Sequence, residues 1–346
     1  MEACCHFLLI LEKEHEDAIQ VQLMLTVKSA IRKEFNTHRN FNRRRITLAL
    51  GGGAARGFAH IGAIRALNEH HVPFDMIVGV SMGAIVGSCY ALVPDVDFTR
   101  ERMSDLVYSD AFNESLIGTW SKTFGQKAKN ILKRMNSVLT RTNAMGKMFF
   151  AKGILENHGV TEVLGPYLPD IRISNTRIPF ACAAVELKRG LLKIFYGNDN
   201  LREAVIASAS MPLVFPPRVI EGVEYVDGGV LDKIGIDSCN QLSSKFIIAI
   251  DVSDEKLPDN PAVNALDVML KTEEIASLYR RERQFNRADV IIQPISGTHH
   301  WADYSAWKEF IDMGYEKTRS QIKEIKSKLR WMPIRRHFAM FRRLRS

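Results

Sequence analysis

Two short apolar runs, each breaking into a glycine-rich turn and then a helical pattern, constrain this chain more than any other feature. The first is Ile46-Thr-Leu-Ala-Leu50, which runs into Gly51-Gly52-Gly53 before a helical pattern from about Gly57 to Asn68. The second is Met76-Ile-Val-Gly-Val80, which turns at Ser81 into a helical pattern from Met82 to Leu92. A strand–loop–helix series repeated this way builds a parallel sheet. Parallel strands are covered on both faces and therefore read as continuous apolar runs instead of alternating ones. Further runs of this kind lie at Ile178 to Leu187, Leu191 to Tyr196, Phe246 to Val252 and Val290 to Gln293, with helical patterns at Leu201 to Ser208 and Ala265 to Ala288. The fold class read from this is α/β: a three-layer α/β/α domain with a mainly parallel central sheet.

Three motifs carry chemistry. Gly79-Val80-Ser81-Met82-Gly83 is a G-x-S-x-G between a strand and a helix. A serine on such a sharp turn presents its hydroxyl outward, and the helix that follows aims its positive end at a nearby oxyanion. Gly51-Gly52-Gly53-Ala54-Ala55-Arg56-Gly57 is the second. Consecutive glycines let backbone N–H groups converge on one anion. No G-K-[ST] follows, and Arg56 stands where a dinucleotide loop needs its third glycine, which speaks against a nucleotide loop. The third is Asp227-Gly228-Gly229, after the strand-like Val223 to Val226. A carboxylate within hydrogen-bond reach of a serine can act as its general base.

Taken together and in this order, the motifs resemble the patatin-like phospholipase family. The text between them resembles it too: Ile178 to Leu187, Phe195-Tyr-Gly197, Ala207-Ser-Ala-Ser-Met-Pro212 and Phe215-Pro-Pro217. The likeness covers roughly residues 45 to 295. It implies Ser81 as nucleophile, Asp227 as its partner, and an oxyanion hole from Gly51, Gly52, Gly53, Arg56 and Gly57, with Gly79, Gly83, Gly228 and Gly229 supporting the turns. It implies lipid acyl esters as substrates, with no metal and no cofactor. One departure stands out. Where the family continues past D-G-G with Asn-x-Pro, this chain has Lys233-Ile-Gly235.

Two other readings compete. A Ser–Asp–His triad esterase would draw on His299 or His300, which otherwise read as a surface pair in a polar loop. A decayed hydrolase that only binds membranes would suit the altered loop and a basic tail, although Ser81, Asp227 and the three loop glycines are all present. His60, at the start of the first helix, reads as a helix-surface residue.

Charge sharpens the domain reading. The formal net charge is +8, and Lys323 to Arg345 holds nine Lys or Arg against Glu324 alone. The rest of the chain is near neutral, which argues against nucleic acid as partner and places the basic character in a C-terminal tail suited to an anionic membrane surface or an acidic partner. Trp331, Ile334, Phe338 and Phe341 recur there at helical spacing, the pattern of an interfacial anchor or of a docking helix. The expected organisation is an N-terminal extension over 1–44, partly helical, a hydrolase domain over 45–296 and a basic helical tail over 297–346. No run reaches the roughly 18 apolar residues that span a bilayer, and no secretory signal is evident. Five cysteines in no CxxC pair fit a reducing compartment. The expected location is cytoplasmic or peripheral on a membrane.

Overall fold

A computed structural model describes residues 46–115, 159–212, 214–253, 265–296 and 300–343. The expected N-terminal extension lies outside the described residues, as does His299. Five strands form the parallel part of one sheet, in the order β3 (Phe180–Glu186), β2 (Met76–Val80), β1 (Ile46–Leu50), β7 (Phe246–Ile250) and β8 (Val290–Ile292). Three antiparallel strands complete it: β4 (Leu191–Tyr196) against β3, then β6 (Val223–Asp227) against β3, and β5 (Arg218–Ile220) against β6.

Side chains alternate across the sheet, and each face has its own core. Leu48, Leu50, Ile77, Ile248 and Ile250 pack on one side with α1 (Ala59–Glu69), α2 (Met82–Leu92) and α6 (Leu201–Ser208). Ala49, Met76, Val78, Ile247 and Ala249 pack on the other with Ile236 and Cys239 of α7 (Ile236–Gln241) and with Phe285, the last residue of α8 (Ala265–Phe285). This is the expected three-layer α/β/α arrangement. The intervening helices are α3 (Val96–Tyr108), α4 (Asp110–Glu114) and α5 (Gly159–Leu164).

The last helix, α9 (Trp307–Arg343), begins as part of this core. Phe310 and Ile325 are fully buried. It meets α1 backbone to backbone: a Cβ at Gly62 would lie 1.8 Å from the Ile311 carbonyl oxygen, and one at Gly314 would lie 1.9 Å from that of Ala59. Only glycine at both positions permits this crossing. By Trp331 the helix has left the core, and that side chain is 55% exposed. The side chains of Ile334, Phe338 and Phe341 lie outside the described residues. Among the described residues, no helix is long and apolar enough to cross a membrane.

One detail of the register positions the site. β4 follows one edge of β3 without interruption from Ala181 to Glu186. The other edge is shared: β2 pairs with Phe180 to Ala183, and β6 pairs with Ala184 to Glu186. The two strands therefore lie end to end along β3 and run toward each other. Val80 stands opposite Ala183, and Asp227 stands opposite the next residue, Ala184. The last residue of β6 and the turn after β2 meet at that junction.

Candidate active site

Ser81 follows β2 with φ 54° and ψ −123°, a left-handed backbone that costs a non-glycine residue about 1–3 kcal/mol. Its neighbours allow the sharp turn. A Cβ at Gly79 would fall 2.5 Å from the Cα of Ala84, and one at Gly83 would fall 2.0 Å from the Leu50 carbonyl oxygen. The Ser81 carbonyl already accepts from Ala84 and Ile85 as α2 starts, while its N–H donates to the Ser208 hydroxyl at 3.0 Å. The serine is half-buried, at the positive end of an 11-residue helix.

Asp227 is buried. The Gly229 N–H donates to its Oδ1 at 2.7 Å, and the nearby Ser81 side chain favours its charged form. Burial raises the carboxyl above the usual carboxylate range, with the Ser81 side chain, the Gly229 N–H and the positive charge of Lys233 opposing the rise. The Asp227 N–H donates to the Ser210 carbonyl at 2.9 Å. The end of α6 and the turn that follows it thus brace both halves of the pair, Ser81 through Ser208 and Asp227 through Ser210. A Cβ at Gly228 would lie 2.3 Å from the Ala183 carbonyl oxygen, so only glycine lets the loop leave β6 this close to β3.

The glycine loop passes directly over the serine: a Cβ at Gly52 would sit 3.1 Å from that of Ser81. The expected oxyanion hole was Gly51, Gly52, Gly53, Arg56 and Gly57, and the hydrogen bonds of this loop show which of its N–H groups are engaged. Gly51 N–H donates to Ile250 O at 3.1 Å and Gly52 N–H to Lys233 O at 2.8 Å, so both are committed to the fold. Further on, Ala55 N–H donates to Trp301 O and Arg56 N–H to Gly53 O. Between them stand Gly53 and Ala54, whose N–H groups have no hydrogen bond among the described residues. Ala54 takes φ 47°, a left-handed backbone at the turn between them. Gly57 serves packing, since a Cβ there would lie 2.2 Å from Met82 Cγ. Arg56 is 8% exposed, and its charge reaches His300.

The histidines lie elsewhere than expected. His60 is fully buried, not on the helix surface. Its Nε2 lies 2.8 Å from the Gly51 carbonyl oxygen, an acceptor only, so Nε2 carries the proton and donates. Burial lowers its pKa to about 4 against the weaker pull of that hydrogen bond. His60 therefore pins the glycine loop as a neutral ring. The apolar surroundings of Ala59, Ile61, Gly62, Ala63 and Ile64 were the signal for burial on every side. His300 is partly enclosed beside the same loop, where burial and the charge of Arg56 lower its pKa to about 4. Neither His60 nor His300 takes part in the Ser81–Asp227 contact.

The loop after Asp227 is built by a residue that sequence reasoning did not single out. Fully buried Asp232 accepts from Gly235 N at 3.0 Å, Asp237 N at 3.2 Å, and both the N–H and hydroxyl of Ser238 at 2.7 Å. Gly235 takes φ 84°, which proline cannot adopt. The replacement of the family's Pro by Gly thus belongs to a different loop path, closed by Asp232.

Comparison with known proteins gives a consistent result. The patatin-like phospholipase family model matches residues 48–239, more than half of the chain. Lysophospholipase NTE1 of Scheffersomyces stipitis is 28% identical over 219 residues, 62% of this chain and 12% of that protein. Lysophospholipase NTE1 of Meyerozyma guilliermondii is 25% identical over 303 residues, 78% of this chain and 19% of that protein. An uncharacterised NTE family protein of Mycobacterium bovis is 27% identical over 209 residues, 60% of this chain and 49% of that protein. The chain spans less than a fifth of the fungal relatives and about half of the mycobacterial one.

Proposed function

The chain belongs to the patatin-like phospholipase family, and from that premise we propose that it is a serine acyl hydrolase that cleaves lipid acyl esters through Ser81 and Asp227. The observation that carries the reading is the end-to-end meeting of β2 and β6 along β3, which brings the turn at Ser81 beside the buried Asp227. In the reaction, Asp227 takes the hydroxyl proton as Ser81 Oγ attacks the ester carbonyl. The tetrahedral oxyanion is held by the N–H groups of Gly53 and Ala54, with the start of α2 adding its positive end. Collapse expels the alcohol, which takes the proton from Asp227 and leaves an acyl-serine. Water, deprotonated by the same carboxylate, then releases the fatty acid. A raised carboxyl suits this work, because a stronger base removes the serine proton more readily.

The lysophospholipase names of the fungal relatives point to single-chain phospholipids as the substrate class. Such substrates sit at a membrane surface, and the basic stretch from Lys323 to Arg345 is the part of the chain suited to meet it. Each Lys or Arg near an anionic surface contributes about 1 kcal/mol.

The test is hydrolysis of a lysophospholipid panel and of a soluble short-chain ester by wild type, Ser81→Ala and Asp227→Asn. Both variants should lose at least about a thousand-fold in kcat/KM while keeping the wild-type circular dichroism. Substantial turnover by Ser81→Ala would refute the assignment.

A further inference from the structure

The departure from Asn-x-Pro brings a positive charge to the reactive pair. Lys233 lies on the loop that leaves Asp227, and its carbonyl accepts the Gly52 N–H at 2.8 Å. One residue thus ties the glycine loop to the aspartate loop. Its side chain runs along Gly229: a Cβ at Gly229 would lie 3.0 Å from Asp227 Oδ1 on one side and 3.9 Å from Lys233 Cδ on the other. The missing side chain of Gly229 is what lets the carboxylate and the lysine stem approach.

The neighbouring acid does not neutralise this lysine. Asp232 is occupied by Gly235, Asp237 and Ser238. Among the described residues, Lys233 has no ion pair. Among the described residues, the other groups around Asp227 carry no charge. Ser81 meets it from the turn after β2, Ser210 offers only its carbonyl from the exit of α6, and Ala183 and Ala184 line it from β3. Of the titratable side chains near the glycine loop, His60 is neutral and bonded to Gly51, and the Arg56 charge acts on His300.

We propose that Lys233 is a positioning residue that keeps Asp227 ionised in the free enzyme, acting by its charge across Gly229 and not by contact with substrate. The inference rests on the reading of Ser81 and Asp227 as the reactive pair. The direction of each influence on Asp227 agrees with it: burial disfavours the carboxylate most strongly, the Ser81 side chain and the Gly229 N–H oppose this, and Lys233 adds to them as the charged group. The lysine therefore widens the pH range over which the base is available. An asparagine at 233 would supply no such charge.

The experiment is the pH dependence of kcat/KM for an uncharged soluble ester, 4-nitrophenyl butyrate, with wild type, Lys233→Gln, Lys233→Met, Lys233→Arg and Ser81→Ala. An uncharged substrate removes any direct attraction between lysine and ligand. In the Gln and Met variants the acidic limb should move to higher pH, so that kcat/KM on the acid side falls about three-fold or more relative to the alkaline plateau. The Arg variant, which keeps the charge, should follow wild type. An unmoved acidic limb in folded Gln and Met variants would overturn the proposal, as would an Arg variant displaced as far as Gln. Activity surviving in Ser81→Ala would instead overturn the underlying assignment, so the two failures are distinguishable.

Discussion

His60 offers a measurement of how the glycine loop is held. The ring is fully buried, donates through Nε2 to the Gly51 carbonyl, and leaves Nδ1 buried with no partner among the described residues. A second proton would have to sit on Nδ1 with nothing to receive it, which agrees with a pKa lowered from 6.5 to about 4 by burial. The sign follows from linkage. Between these two values the unfolded chain binds a proton that the folded chain refuses, so stability falls as pH falls through that window. From about pH 7.5 to about pH 5, His60 alone should remove about 2 kcal/mol of unfolding free energy. Its replacement by Gln preserves a donor amide for Gly51 and removes the titration. Urea unfolding followed by circular dichroism at both pH values gives the free energies for wild type and His60→Gln. The difference between the two proteins should change by about 2 kcal/mol across the interval, with wild type losing more. Parallel pH dependences would refute the buried, neutral His60.

Asp227→Asn should remove activity yet raise stability at neutral pH, because the folded chain no longer buries a carboxylate whose pKa lies above its unfolded value. Wild type should recover toward the variant as pH falls through the raised folded value, and thermal melts across the acid range check this. Gly235→Pro should cost about 3 kcal/mol or more, because φ 84° is closed to proline and the N–H given to Asp232 is lost; urea midpoints read it. Removing residues 332–346 should spare hydrolysis of a soluble ester but weaken co-sedimentation with anionic vesicles. Cutting at 323 instead would remove Ile325, which is fully buried, and should destabilise the domain.

The parallel strands and their glycine turns were legible because burial on both faces leaves continuous apolar runs that few other structures require. Ser81 and Asp227 were legible as residue types in motifs, but their meeting was not. It depends on β6 pairing with the upper half of β3, and pairing register leaves no trace in a single strand's composition. β5 was missed for a related reason: Arg218–Ile220 is three residues long, begins with a charge and buries little. Which N–H groups of the glycine loop are engaged by the fold was not legible. Glycine identity shows where a backbone can approach, whereas Ile250 O and Lys233 O decide which N–H groups remain available. The buried end of α9 was obscured by its charges, since Phe310 and Ile325 are spread among lysines and glutamates that cover the outer side of the same helix.

The shared edge of β3 also separates chain length from chemistry. Between Ser81 and the strand that ends at Asp227 lie five α-helices, three strands and a long stretch outside the described residues, and none of their lengths sets the distance between the two side chains. Ladder hydrogen bonds to Ala183 and Ala184 set it. A domain inserted at the two-residue Glu221–Gly222 turn, where both residues have positive φ, should leave the pair together. One extra residue between Tyr225 and Asp227 would send the carboxylate to the opposite face of the sheet. The fold is therefore permissive of large insertions and intolerant of a single-residue slip, and engineered or natural variation should be distributed accordingly.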